Sequence, residues 1–243
     1  MSMRIAVLSD IHGNLSALRN VLDDAEGQGV DGFIVLGDVL DYCMHPNEAI
    51  GLLRKIDDRI VCSIWGNHEF AIMNDNYDRF SSERAIISAK HTKSILTEDS
   101  IDYINNRMDR NTEAELKIDG KRILCIHGIM KDRYWAAIDT TSDPSPYEGF
   151  DYVLSGHNHI PHFFEQYYRI DDPKMRDRRK CIFVNPGSVG QPRNHNSRAQ
   201  YCIIDFVNEE ITFRRIEYDI DSEMDAFDGS VDDFYKDRLR YGL

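Results

Sequence analysis

Five short polar blocks hold the residues best suited to chemistry: Asp10-Ile11-His12, Gly37-Asp38, Gly66-Asn67-His68-Glu69, His127-Gly128 and Gly156-His157-Asn158-His159. Aspartate offers a hard anionic oxygen, asparagine a neutral carbonyl oxygen and histidine an imidazole nitrogen. Such a mixed set suits Mn, Fe, Zn or Ni. Asp10 and His12, two apart in an extended turn, can face one point in space. Each block alone has a plainer reading as a helix cap or a turn residue. Together, Asp10, His12, Asp38, Asn67, His68, His127, His157 and His159 follow five separate apolar runs. The plain reading then needs the same coincidence many times over.

The elements that must position these residues are readable from the apolar pattern. Ile5–Leu8, Gly32–Leu36 and Ile60–Trp65 are predicted strands, each handing over to a polar turn. Leu15, Leu18, Leu22 and Ala25 lie at helical spacing behind the first, and Pro46 opens a second helix. This βα rhythm delivers polar groups to the carboxyl edge of a sheet, where open α/β folds bind ligands. Residues from about 70 to 111 are polar with intermittent apolar faces. They predict one or two helices, set either as a cap over the sheet edge or as a peripheral hairpin. The second half is β-rich. A hairpin at Ala114–Ile118 and Arg122–Ile126 turns at Asp119-Gly120. Strands follow at Tyr152–Leu154, Phe163–Tyr168, Cys181–Val184, Ala199–Phe206 and Glu210–Tyr218, with a basic loop from Lys174 to Lys180. No repeat or flexible linker divides residues 1–243, so one domain is expected, closed by an acidic tail over 219–243. That tail reads as a solvated face with a short helix near Phe234–Leu239.

Bulk composition narrows the function classes. The chain has 243 residues, 42% hydrophobic and 29% charged, enough for one large core. Its net charge of −13 argues against a long nucleic acid held along a groove, but not against a small phosphorylated ligand. No apolar run is long enough to cross a membrane, and no basic-then-apolar leader precedes the first strand. A cytoplasmic location is therefore expected. Cys43, Cys62, Cys125, Cys181 and Cys202 are odd in number and form no Cys-x-x-Cys pair, so buried reduced thiols are expected.

The ordered blocks resemble those of the calcineurin-like metallophosphoesterase superfamily, and they span residues 4 to about 193. The stretch Val184-Asn185-Pro186-Gly187-Ser188-Val189-Gly190-Gln191-Pro192-Arg193, with Pro46-Asn47-Glu48, is similar to the branch of small bacterial and archaeal phosphoesterases. The resemblance implies an α/β fold, a four-layer α/β/β/α sandwich of two stacked mixed sheets. It also implies two divalent or trivalent metal ions at the strand edge. By motif, Asp10, His12 and His159 bind one ion, Asn67, His127 and His157 bind the other, and Asp38 bridges them. A bridging carboxylate offsets the repulsion of two cations about 3.5–4 Å apart, and such a pair activates water for attack at phosphorus. The resemblance places His68 at the leaving-group oxygen.

Asp41 has two readings. Gly37-Asp38-Val39-Leu40-Asp41 is similar to the Gly-Asp-x-x-Asp of phosphoprotein phosphatases, where the second Asp orients the catalytic His. Tyr42-Cys43 departs from the Arg-Gly that follows there, and the small-phosphoesterase branch usually has Gly at position 41, which leaves Asp41 as a turn residue. Arg193 is either a phosphate contact or a surface Arg. His45, His91, His162 and His195 lie outside the blocks, with His91 placed in the helical segment where it could face substrate. Ile129-Met130 replaces a Ser-Pro common in the branch, a change expected to bear on the pocket.

Three functions are compatible with these residues. The first is a metal-dependent phosphodiesterase or nucleotide pyrophosphohydrolase on a small substrate. The second is a phosphoprotein or phosphomonoester phosphatase. The third is a non-catalytic scaffold, which the presence of all seven candidate ligands and His68 disfavours. Oligomeric state is not readable from the sequence.

Overall fold

The computed structural model describes residues 3–243. Strands β1 (Arg4–Leu8), β2 (Gly32–Val35) and β3 (Ile60–Ser63) run parallel, joined by helices α1 (Leu15–Gly27) and α2 (Pro46–Lys55). Three further helices follow: α3 (Asn67–Asn74), α4 (Glu83–Ile95) and α5 (Glu98–Arg107). The chain then forms β4 (Glu113–Ile118), β5 (Lys121–Ile126), β6 (Tyr152–Ser155), β7 (His162–Arg169), β8 (Arg178–Asn185), β9 (Ala199–Asp205) and β10 (Glu210–Ile216). It ends in α6 (Ile220–Asp225) and α7 (Asp233–Tyr241).

Two five-stranded mixed sheets result, ordered β10-β9-β1-β2-β3 and β4-β5-β6-β8-β7. Period-two alternation explains their stacking. Ile5 and Val7 of β1 meet Ile123 and Cys125 of β5 and Leu154 of β6 in a core between the sheets. Ala6 and Leu8 face the other way, onto Leu18 and Val21 of α1 and Ala49 and Leu53 of α2. The outer face of the second sheet is covered by Ile138, Tyr147 and Phe150 from the connection between β5 and β6, which carries a short 3-10 turn at Ser145–Tyr147. The class is α/β, with two stacked mixed sheets and flanking helices.

Several details differ from the sequence reading. The 70–111 segment and its approach hold three helices, because Asn67 starts α3 directly after Gly66 and Thr97 caps a separate α5. Their positions are divided: Tyr103 and Ile104 of α5 join the α1–α2 core, while residues 79–82, Arg84 and Ala85 line the cleft described below. Strand β8 begins at Arg178, so the basic loop is shorter than expected. The acidic tail is not wholly solvated, since Glu223, Tyr235 and Leu239 are buried. All five cysteines are buried free thiols. Among the described residues, no helix is long and apolar enough to cross a membrane.

Candidate metal centre

The turns after β1, β2 and β6 deliver five polar side chains in an unusual backbone state. Asp10, His12, Asp38, His157 and His159 all have φ between 51° and 71°. This left-handed region costs a non-glycine residue about 1–2 kcal/mol, and such strain concentrates where function fixes geometry. Two glycines make the close approach possible. A Cβ on Gly66 would lie 2.1 Å from Asp38 Oδ1, and one on Gly156 would lie 2.1 Å from Ser9 Oγ and 3.2 Å from Asp10 Oδ2.

The side chains converge as two groups that share Asp38. Asp10, His12, Asp38 and His159 each place a ligand atom within 4.8 Å of the others, and so do Asp38, His127 and His157. In the first group, His159 Nε2 is 3.2 Å from both Asp10 Oδ1 and His12 Nε2. In the second, Asn67 Oδ1 lies 3.0 Å from His127 Nε2 and 2.9 Å from His157 Nδ1, and Asp38 Oδ2 is 3.2 Å from His127 Nε2. All seven residues expected from the sequence therefore surround one point or the other.

The donor chemistry fits cations. His12 Nδ1 donates to Leu40 O at 2.9 Å, His127 Nδ1 to Leu36 O at 2.7 Å and His159 Nδ1 to Gln191 O at 2.6 Å. Each carbonyl fixes the tautomer that turns the Nε2 lone pair inward, the usual support of a ligating histidine. Both carboxylate oxygens of Asp10 are buried without a hydrogen-bond donor, a costly state unless a cation takes them. The Asn67 amide can present either end. Its nitrogen would donate to His127 Nε2, His157 Nδ1 and Asp38 Oδ2 at 2.9–3.1 Å, whereas its oxygen would join them as a ligand. In either orientation, acceptor atoms from four other residues, Tyr134 O at 3.2 Å among them, crowd around this amide.

Burial disfavours the protonated ring at three of the four histidines. It lowers His12 well below the ordinary imidazole value and brings His157 and His159 to about 4. His127 differs: burial lowers it, but the Asp38 carboxylate outweighs this and raises it to about 9. To ligate a cation beside Asp38, His127 would have to give up its Nε2 proton. Asp38 itself is held well below the carboxylate range, because the surrounding imidazoles, His127 first, overcome its burial.

His68 lies one residue past Asn67, on the first turn of α3. Its Nδ1 is 2.7 Å from Asp41 Oδ2, and its Nε2 is 3.9 Å from Asp38 Oδ2. Burial works against its protonation, but Asp38 and Asp41 prevail and raise its pKa. Asp41 is fully buried and held in turn: Oδ1 accepts from Tyr42 N at 2.7 Å and from Ser88 Oγ of α4 at 2.5 Å. This contact brings Asp41 to His68 and gives it a firmer place than an ordinary turn residue.

Other features of the site were not read from the sequence. Glu69, within the recognised block but given no role, accepts from the backbone N–H groups of Gly66, Asp38 and Leu40 at 2.8, 2.8 and 2.9 Å. It ties the turn after β2 to the start of α3. Its position three residues past Gly66 is a capping-box signal. The helix expected near Phe234–Leu239 is present as α7, but its place at the site was missed: it puts Tyr235 and Arg238 in the cleft, with no local motif to announce it.

That cleft is about 650 Å³, floored by Asp38, Asn67, His68, His157 and His159. Arg193 lines it, close enough to His12 and His159 to lower both. His91 instead faces Ser230 Oγ at 3.2 Å, and Ile129 and Met130 pack onto the outer face of the second sheet. Neither lines the cleft.

Known proteins share this architecture. The chain is 31% identical over 220 residues to an uncharacterized protein of Methanocaldococcus jannaschii, covering 89% of this chain and 88% of that one. A metallophosphoesterase from Sphaerobacter thermophilus superposes with a TM-score of 0.78 at 26% identity, over 100% of both chains. A hypothetical protein from Pyrococcus horikoshii has the same fold, with a TM-score of 0.77 at 20% identity over 99% of both chains. The sequence pattern of the calcineurin-like phosphoesterase superfamily domain matches residues 3–209. With that match spanning most of its length and the candidate ligands gathered at the sheet edge, the chain belongs to the calcineurin-like phosphoesterase superfamily and is a metal-dependent phosphoesterase.

Proposed function

We propose that this phosphoesterase works with two metal ions and hydrolyses a small phosphodiester or a nucleotide-type pyrophosphate. The observation that carries the proposal is the shared carboxylate, since Asp38 belongs to both ligand groups. Asp10, His12 and His159 would hold one ion, Asn67, His127 and His157 the other, and Asp38 both. Mn, Fe, Zn and Ni all suit these donors. When bound, the ions supply Lewis acidity toward the phosphoryl oxygens and activate water for in-line attack.

The remaining work falls to the chain itself. His68, its Nδ1 tied to Asp41 and its pKa raised by Asp38 and Asp41, is biased toward the ring form that carries a proton on Nε2. It donates that proton to the departing oxygen. Asp41 fixes the tautomer and favours the protonated ring. Arg193 contacts a phosphate of the substrate away from the reacting centre, a task for which a guanidinium is suited. The cleft volume lies within the usual range for small-molecule sites, which favours a compact substrate over a protein surface.

Metal analysis together with turnover of bis-p-nitrophenyl phosphate and p-nitrophenyl phosphate tests the proposal. Metal-dependent turnover that favours the diester is expected. Preference for the monoester would point to a phosphatase. No turnover with Mn, Ni, Fe or Zn would point to a scaffold.

A further inference from the structure

The cleft holds more positive charge than one scissile phosphate requires. Arg84, Arg193 and Arg238 all line it. Among the described residues, none of the three has an Asp or Glu side chain within ion-pair distance, in a chain where acidic residues outnumber basic ones 42 to 29. Arg193 Nε is buried without a hydrogen-bond partner. Arg238 is 7% exposed, and its guanidinium lies 5.2–5.9 Å from the ring centres of Tyr42, Phe234 and Tyr235, with Nε donating to a carboxyl oxygen of Leu243, the last residue of the sequence, which leaves its outer nitrogens toward the cleft. Burial, with Arg193 adding to it, lowers Arg238 to about 10. The buried, unpartnered Arg193 Nε and the repulsion between the two guanidinium groups are each costly. An anion between them removes both costs and gains charge-assisted hydrogen bonds.

The part of the fold that carries Arg238 is joined to the candidate metal centre. Tyr235 stacks on Tyr42 at 4.3 Å, and the Tyr42 ring is 4.5 Å from His12 and 4.7 Å from His68. Gln191 Nε2 donates to Tyr235 O at 3.2 Å, linking α7 to the loop that bears Arg193. The superfamily match ends at residue 209, before α7 begins.

We propose that α7 completes a second anion subsite, with Arg193 and Arg238 at its centre and Arg84 at its rim, which takes a further phosphate of the substrate. The substrate class is then a nucleoside polyphosphate or another compound with at least two phosphates. This rests on the reading of the cleft as the place where a small phosphorylated substrate binds, and it adds that the non-reacting part is anionic.

The test compares AMP with the α,β-methylene analogue of ADP, by isothermal titration into metal-loaded protein at a fixed free-metal concentration. The two ligands differ by one methylene-linked phosphonate group, which stands in for the second phosphate. With one or two charge-assisted hydrogen bonds to the added group, the analogue should bind at least about tenfold tighter. In Arg238→Gln that preference should shrink to about twofold or less, and in Arg84→Gln, at an exposed position, it should shrink by a smaller factor. A wild type without the preference, or an Arg238→Gln protein that keeps it, overturns the proposal. If Arg238→Gln does not fold, Arg193→Gln carries the test with the same expected loss, and an unchanged preference there overturns it equally. Because binding is read without turnover, the outcomes separate. Failure to hydrolyse either nitrophenyl ester would remove the catalytic reading and leave the preference standing.

Discussion

His68 and Asp41 act as a pair or not at all. The carboxylate is buried, 2.7 Å from the ring nitrogen, and held by Tyr42 N and Ser88 Oγ, so it cannot swing away cheaply. His68→Asn should lower kcat by about 10²–10⁴ with metal content unchanged. Asp41→Asn should act through the proton. Asp41 helps raise the His68 pKa, so removing its charge lowers that pKa. A general acid must be protonated to work, so the limb on which the rate falls with rising pH moves to lower pH. A pH–rate profile of Asp41→Asn that overlays the wild type would remove Asp41 from the mechanism. At this scale the sequence was informative where a residue type met a motif. Asp10, His12, Asp38, Asn67, His127, His157 and His159 were legible because glycine-flanked polar residues after apolar runs are rare. Asp41 stayed open between two roles because its partner, Ser88, is 47 residues away on α4. Arg238 was hidden for a like reason: Phe234 and Tyr235 lie one helical turn before it, but Tyr42, which joins them to the site, is far away in sequence.

At the scale of elements, the turn after β2 and the start of α3 form one device. Glu69 pins three backbone amides, and the α3 N-terminus gives the His68 N–H to Asp38 Oδ1 at 2.9 Å. Gly66 leaves room for that carboxylate. Gly66→Ala would put a methyl carbon 2.1 Å from Asp38 Oδ1, so Asp38 must move. Metal analysis should find Gly66→Ala clearly depleted in metal while circular dichroism reports a folded chain. Full occupancy would show that the shared carboxylate tolerates displacement. A second device joins the sheets at their far end. Glu209, in the β9–β10 turn, accepts from Lys121 of β5 at 2.6 Å and Lys180 of β8 at 2.8 Å. Those lysines pull it down to about 2. A carboxylate with a depressed folded-state pKa stabilises above its unfolded value, about 4.3. That contribution fades as pH falls toward the folded value. The thermal stability gap between wild type and Glu209→Gln should therefore narrow from pH 5 toward pH 2, by a modest amount for so exposed a pair. A gap that does not change with pH would show that Glu209 contributes nothing through its charge. Strands were legible to within a few residues because period-two alternation is strong between two sheets. The helices of 67–107 were not, because α4 has apolar residues on several faces and buries a polar one: Ser88 and Thr92 point inward at Asp41.

For the whole molecule, the two sheets and the helical face over the first follow from the order of elements. The covering of the second sheet does not. Ile138, Tyr147 and Phe150 come from a long connection without helical periodicity, and only packing against Leu124, Val153 and Phe183 gives them a place. The same holds for the tail. Its acidic composition suggested a solvated face, yet α7 turns Tyr235, Arg238 and Leu239 inward. The architecture serves one end: parallel strands from both sheets finish at one edge, and their turns bring ligand atoms from residues as far apart as Asp10 and His159 into contact.

The most direct test of this account is anomalous diffraction from crystals of the protein loaded with Mn. Two peaks about 3.5–4 Å apart are expected: one within bonding distance of Asp10, His12 and His159, the other of Asn67, His127 and His157, with Asp38 reaching both. A single peak, or peaks that leave Asp38 unbound, would contradict it.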